Sequence, residues 1–166
     1  SAKHVVIAGD SPAALCLAND CVDKRAGNRD AVVLIAPELP EETARTLRKK
    51  GVIYIAGDPA SADALRFARA HKASHVVAFD DEDTANLRIE AAVRALVART
   101  KQKRKVAVHV AMRSPLLLQE AREMRMQIQR DEERANIKPV PVETSPFSLD
   151  ELAARKLMQE HGHFVL

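Results

Sequence analysis

The chain has 166 residues with a formal net charge of +3, and 30% of it is charged. That length supports one domain with a proper core rather than two, and so small and mixed a charge does not by itself argue for nucleic acid. Aromatic residues make up only 3% and Trp is absent, so the core must be built from Ala, Val, Leu and Ile.

Apolar, β-rich runs alternate with helical patterns along the whole chain. "HVVIA" (4–8) is the first strand candidate and leads through Gly9 into a helix over 12–25, for which Ser11 is the cap and Pro12 the first residue. "AVVLIA" (31–36) and a helix over 40–50 follow, then "VIYIAG" (52–57) and a helix over 61–71. Next come "HVVAF" (75–79), a helix over 84–100, "KVAVHV" (105–110), a helix over 114–134 opened by Ser114 and Pro115, and "KPVPVE" (138–143). Strands that are apolar on consecutive residues are covered on both faces. The pattern therefore predicts an α/β fold with a doubly wound, six-stranded parallel sheet in the order 3-2-1-4-5-6. Its ligand crevice should open at the carboxyl ends of strands one and four.

The division expected is a core over 1–144 and a tail over 145–166. In the tail, Ser148 and Glu151 form a capping box before an apolar stripe of Leu149, Leu152, Ala153, Leu157 and Met158, a helix with a face to bury. No apolar run approaches the roughly 20 residues needed to span a bilayer, and no signal peptide precedes the first strand. A cytoplasmic location is expected, which includes the cytosolic face of a membrane protein, and the chain reads as an excised piece of something longer.

The segments "VVIAGD", "VVLIAPE", "GVIYIAGDPASADALRFARAHKASHVVAFDDEDTANL" and "VAVHVAMRSP" carry a resemblance. In this order they resemble the RCK (TrkA-N) domain, a Rossmann-like nucleotide-binding module that regulates potassium channels and transporters. The likeness runs from about His4 to Met158 and is most specific at Gly57, Asp58, Leu65, Ala68, Ala73 and Asn86. It implies that the tail leaves the core as a crossover helix and packs on a partner subunit. It also implies contacts to a nucleotide from Gly9, Asp10, Ser11, Ala14, Ala36, Glu38, Gly57, Asp58, Ala78, Phe79 and Asp80.

The first loop departs from the family pattern G-x-G-x-x-G. Gly9 keeps the tight turn, whereas the second glycine position holds Ser11 and the third Ala14. Alanine at the third is mild; Ser11 places a Cβ where backbone should approach a pyrophosphate, Pro12 removes an amide, and Asp10 adds negative charge. At the end of the second strand Ala36 stands where the family usually has Asp, with Glu38 two residues on. The mixture suggests a nucleoside pocket beside a poor diphosphate site, and leaves the ligand open between an adenine nucleotide and NAD.

Plainer readings stand beside these. "SPAA" is also simply a good helix start, and Asp58 serves equally well as a helix cap. The run Asp80, Asp81, Glu82, Asp83 complements the positive end of the following helix rather than holding a metal. His4, His75 and His109 read as structural, and His71, His161 and His163 as exposed. The methionines read as core or interface filler, and "KQKRK" (101–105) as a solvated loop. Cys16 and Cys21, five apart on a helix, predict neither a disulfide nor a metal site.

Function divides into three classes. A dehydrogenase is rejected, because Tyr54 is the only tyrosine and has Asp58 rather than Lys four residues on. The favoured class is a regulatory binding module, a homodimer or higher assembly that gates an attached channel or transporter, with no nucleic-acid partner. The alternative is a degenerate Rossmann scaffold that serves assembly with no nucleotide bound.

Overall fold

Strands without a solvent face need helices on both sides, and the order of elements supplies them. The structure, a computed structural model, describes residues 3–24 and 30–148. Six strands, β1 (Val5–Ala8), β2 (Val32–Ala36), β3 (Val52–Ala56), β4 (His75–Ala78), β5 (Val106–Met112) and β6 (Val142–Ser148), form one sheet. Its order is β3-β2-β1-β4-β5-β6, with every neighbouring pair parallel. The doubly wound arrangement expected from the pattern is therefore the one found.

Five helices connect them: α1 (Pro12–Lys24), α2 (Glu41–Lys49), α3 (Ala62–Phe67), α4 (Asp83–Arg99) and α5 (Pro115–Ala135). One face of the sheet packs Val6, Ala8, Val33, Val76 and Val108 against Leu65 of α3, Ile89, Val93 and Leu96 of α4, and Leu118 of α5. The other packs Ile7, Val32 and Leu34 against Ala14 and Ala18 of α1 and Leu47 of α2. The Ser114 hydroxyl accepts the Leu117 amide at 3.3 Å with Pro115 opening α5, as the sequence suggests. Asn136, in the left-handed conformation with φ 53°, ends that helix.

Three expectations change. The helix foreseen over 61–71 stops at Phe67, because Arg69 turns left-handed (φ 56°) and starts a separate 3-10 turn over Ala70–Lys72. The sixth strand lies later than "KPVPVE": it pairs Val142 with Val106 and continues to Ser148 opposite Met112. Ser148 therefore closes a strand in the structure, where a helix cap was expected. Pro146 lies within β6, an edge strand, where a residue lacking an N–H is tolerated. His71, expected to be exposed, is half-buried. The crossover-helix residues Leu149, Leu152, Ala153, Leu157 and Met158, with His161 and His163, lie outside the described residues. Among the described residues no helix is long and apolar enough to cross a membrane.

A charged cluster that no local pattern announces ties β6 to the helices behind it. Glu90, buried on α4, accepts from Thr144 Oγ1 of β6 at 2.8 Å and from Arg125 of α5 at 3.1 Å, and pairs with Arg94 at 3.0 Å. One carboxylate thus joins three elements.

On the opposite face, His75 and His109 stack across β4 and β5 with ring centroids 5.3 Å apart and Nδ1 to Nε2 at 3.1 Å. That contact needs one nitrogen to donate and the other to accept, so it fails once both rings are protonated. Burial first, and then the adjoining His75, hold His109 below its ordinary value of 6.5. The unfolded chain takes up a proton that the fold resists, so this contribution to stability is complete above about pH 6.5 and is lost as pH falls through the lowered value. His71 shifts the same way. Urea unfolding between pH 7.5 and 5 should show stability dropping toward acid, with a shallower slope for His109→Gln; an unchanged slope contradicts the role given to the pair.

Candidate functional site

The crevice forms where β1 and β4, adjacent in the sheet, send their chains to opposite faces. Gly9 leaves β1 at φ 140°, and a Cβ built there would lie 2.6 Å from the carbonyl carbon and oxygen of Phe79 and 2.7 Å from the Asp80 amide nitrogen. Only glycine fits so close to that backbone. Two residues on, the buried Ser11 hydroxyl donates to Phe79 O at 2.5 Å and accepts the Ala14 amide at 3.1 Å. One side chain therefore caps α1 and fastens the first loop to the fourth strand. Pro12 has no amide and the Ala14 amide is taken, so the first turn of α1 keeps little with which to hold a phosphate.

The β4 side is held just as firmly. Asn86, buried on α4, accepts the Asp80 amide at 2.7 Å through Oδ1 and donates through Nδ2 to the carbonyls of Asp80 and Ala111, both at 3.0 Å. The Asp80 carboxylate accepts the Asp81 amide at 2.7 Å. Asp83 accepts the amides of Arg113 at 2.7 Å and Ser114 at 3.0 Å, and Arg113 pairs with Asp81 at 2.7 Å. The acidic run is thus engaged in shaping the end of β5 and the entry to α5. Among the described residues no group of three or more His, Cys, Asp or Glu is placed to hold a metal.

On the side of β2 and β3, Ala36 is fully buried and Glu38 is exposed. The Tyr54 hydroxyl donates to Pro37 O at 2.8 Å and accepts the Leu39 amide at 3.1 Å, which props the loop carrying Glu38. Gly57 donates to Ala36 O at 2.9 Å; a Cβ there would meet only Ala64 Cβ at 3.6 Å, an ordinary contact. Asp58 Oδ1 accepts the Ala60 amide at 2.9 Å, a turn that feeds α3, while Ser61 is that helix's cap. Ala78 is fully buried, and Phe79, also buried, packs edge-on against Phe147 of β6 with centroids 5.7 Å apart.

The expected site residues thus converge on one end of the sheet: Gly9, Asp10, Ser11 and Ala14 from the first loop, Phe79 and Asp80 from the fourth, and Glu38, Gly57 and Asp58 beyond. The carboxylates of Asp10, Glu38, Asp58 and Asp80 give that end an acidic character. Phe147 is the residue that sequence reasoning missed, since it sits in a segment taken for the tail. Asn86 was noticed only through a resemblance; its buried amide, which with Glu90 interrupts a helix face of Ile89, Val93, Leu96 and Val97, is the signal that marks it.

A parallel sheet in this order with a glycine turn at the β1/β4 switch point defines a Rossmann-like α/β domain. The TrkA-N domain model matches residues 5–121, and the chain belongs to that family. No curated relative matches the sequence. Among solved structures it is similar to the NAD(P)-binding domain of an exopolyphosphatase-related protein from Archaeoglobus fulgidus, at 17% identity and a TM-score of 0.62, over 99% of this chain and 100% of that one. It is also similar to GsuK bound to ADP, at 16% identity and a TM-score of 0.55, over 74% of this chain and 29% of that one. The GsuK RCK domain gives 18% identity, a TM-score of 0.54 and coverage of 74% and 24%. This chain thus spans less than a third of the GsuK chains. At these identities the likeness shows the fold alone.

Replacing Gly9 by alanine forces a side chain against the Phe79–Asp80 backbone at a φ that alanine resists. Chemical denaturation should report a loss of about 2 kcal/mol or more; a midpoint equal to wild type would mean the close approach is relaxed at no cost.

Proposed function

We propose that this chain is a cytosolic regulatory ligand-binding domain that acts on a potassium channel or transporter, with a crevice that favours the nucleoside part of a ligand over its phosphates. The carrying observation is the Gly9 turn packed on the Phe79–Asp80 backbone, the geometry of a dinucleotide crevice, combined with a first helical turn whose Ala14 amide is already spent on Ser11. Membership of the TrkA-N family supports the regulatory class. GsuK structures hold ADP or NAD, and these supply the ligand classes to try.

The ligand works by binding one arrangement of the assembly more tightly than another. Phe79, beside the crevice, touches Phe147 of β6, the last described strand. A ligand that shifts the Ser11–Phe79 bond therefore acts on the strand that leads into the tail. Self-association into a homodimer or higher assembly is supported by the exposed Leu116, Met124 and Ile128 of α5. Absence of enzymatic activity is part of the same reading: the Tyr54 hydroxyl is committed to the 37–39 loop rather than offered to a substrate.

A second reading, a ligand-free scaffold, is favoured by Ser11, whose hydroxyl donates its proton within the fold. Thermal unfolding with ADP and with NAD separates the two, since a ligand bound to the folded state raises the midpoint. A rise with either is expected, and none at millimolar concentration would favour the scaffold. Asp10→Asn should tighten ADP about fivefold at low salt, the effect of about 1 kcal/mol from one like charge some 4 Å away in water. Unchanged affinity would mean that the diphosphate does not approach this loop.

A further inference from the structure

The two edges of the sheet are built differently. β6 carries Glu143 and Pro146, a charge and a residue without an N–H, both of which discourage another strand from pairing there. β3, at the other edge, reads "VIYIA" over 52–56, with no charge and no proline. An apolar edge without such protection is a template for a further strand.

Backbone direction shows which groups are open. The Gly57 amide donates to Ala36 O of β2, and successive residues of a strand turn to alternate sides, so Ile53 and Ile55 aim their backbone at β2 while Val52, Tyr54 and Ala56 aim theirs outward. Among the described residues nothing meets those outward groups. The side chains beside the edge are open as well: Ile53 is 51% exposed, and Phe67, the last residue of α3, is 78% exposed. With Val33, Ile55 and Ala68 they line a cavity of about 450 Å³ at the point where the six-residue α3 ends. Apolar surface gathered in this way marks a contact.

We propose that the β3 edge pairs antiparallel with the β3 edge of a second copy of this chain, joining two six-stranded sheets into one. The strand is its own complement about Tyr54. A two-fold axis there sets Tyr54 against Tyr54, Val52 against Ala56 and Ile53 against Ile55, so every outward group meets an outward group and paired side chains share a face. A slip of one residue would set outward backbone groups against inward ones. The axis also brings the exposed Lys50, just before β3, to the end where the other copy carries the exposed Asp58, just after it. Parallel pairing would set like charges together at both ends, so charge selects the antiparallel arrangement. Such a contact is isologous and closes at two copies. It lies at the opposite edge of the sheet from β6 and α5, and it does not rest on the α5 surface.

Amide hydrogen exchange in the full chain at millimolar concentration, followed by NMR, tests the pairing residue by residue. The amides of Val52, Tyr54 and Ala56 are expected to be protected, although a single copy offers them no acceptor among the described residues. Ile53→Lys, which puts a charge on the edge, and Ala56→Pro, which removes an outward N–H, should each speed exchange at Val52 and Tyr54 by about tenfold or more, since a two-fold axis loses hydrogen bonds in symmetric pairs. The Ile55 and Gly57 amides face β2, so their continued protection reports that the sheet survives in both variants. Sedimentation should give at least a dimer for the wild type and a smaller species for each variant. Protection in a strictly monomeric chain would mean that a segment of the same copy covers the edge, and would overturn the proposal. Rapid exchange of all three amides in the wild type, which leaves the edge to an unrelated strand, would overturn it too, as would protection and mass unchanged in both variants.

Discussion

The close approach of Gly9 to the backbone of Phe79 and Asp80 is the constraint on which the site depends. It brings the first loop within reach of the fourth strand, and only there can the Ser11 hydroxyl both cap α1 and donate to Phe79. The resulting bond closes the floor of the crevice with the protein's own groups. Asn86 then fixes the other half by satisfying Asp80 in both directions and Ala111 beside it.

Charge is distributed unequally between the two ends of the sheet. The carboxyl ends carry Asp10, Glu38, Asp58, Asp80 and Asp81 with Arg113, which pairs with Asp81 at 2.7 Å, while the amino ends carry Arg69, Lys72, Arg104 and Lys105 with Asp30 and Glu143, the last paired with Lys105 at 3.6 Å. Helix direction accounts for part of this: the acidic run lies at the amino end of α4, where negative charge is favourable, and Arg99 lies at its carboxyl end.

Long-range polar contacts hold the outer part of the sheet. Through Glu90, the edge strand β6 is tied to α4 and α5, and through Phe147 it meets Phe79 on the other face. An edge strand with a proline has fewer backbone bonds to rely on, and these two side-chain anchors supply what its ladder lacks. The same strand is thereby linked to the first loop, since Ser11 donates to the Phe79 carbonyl.

The alternation of apolar strands with capped helices was legible in the residues alone, as were the sheet order and the opening devices Ser11–Pro12 and Ser114–Pro115. All of these follow from periodicity and from hydrogen bonds between near neighbours in sequence. Tertiary structure alone decided that the Ser11 hydroxyl would reach Phe79, that β6 would run through Pro146 to Ser148, and that Glu90 would gather Arg94, Arg125 and Thr144. It also brought the 69–72 turn against the loop at 102–104. Each of these joins groups many residues apart, and which of them meet is set by strand adjacency and backbone packing, quantities that a local pattern does not carry.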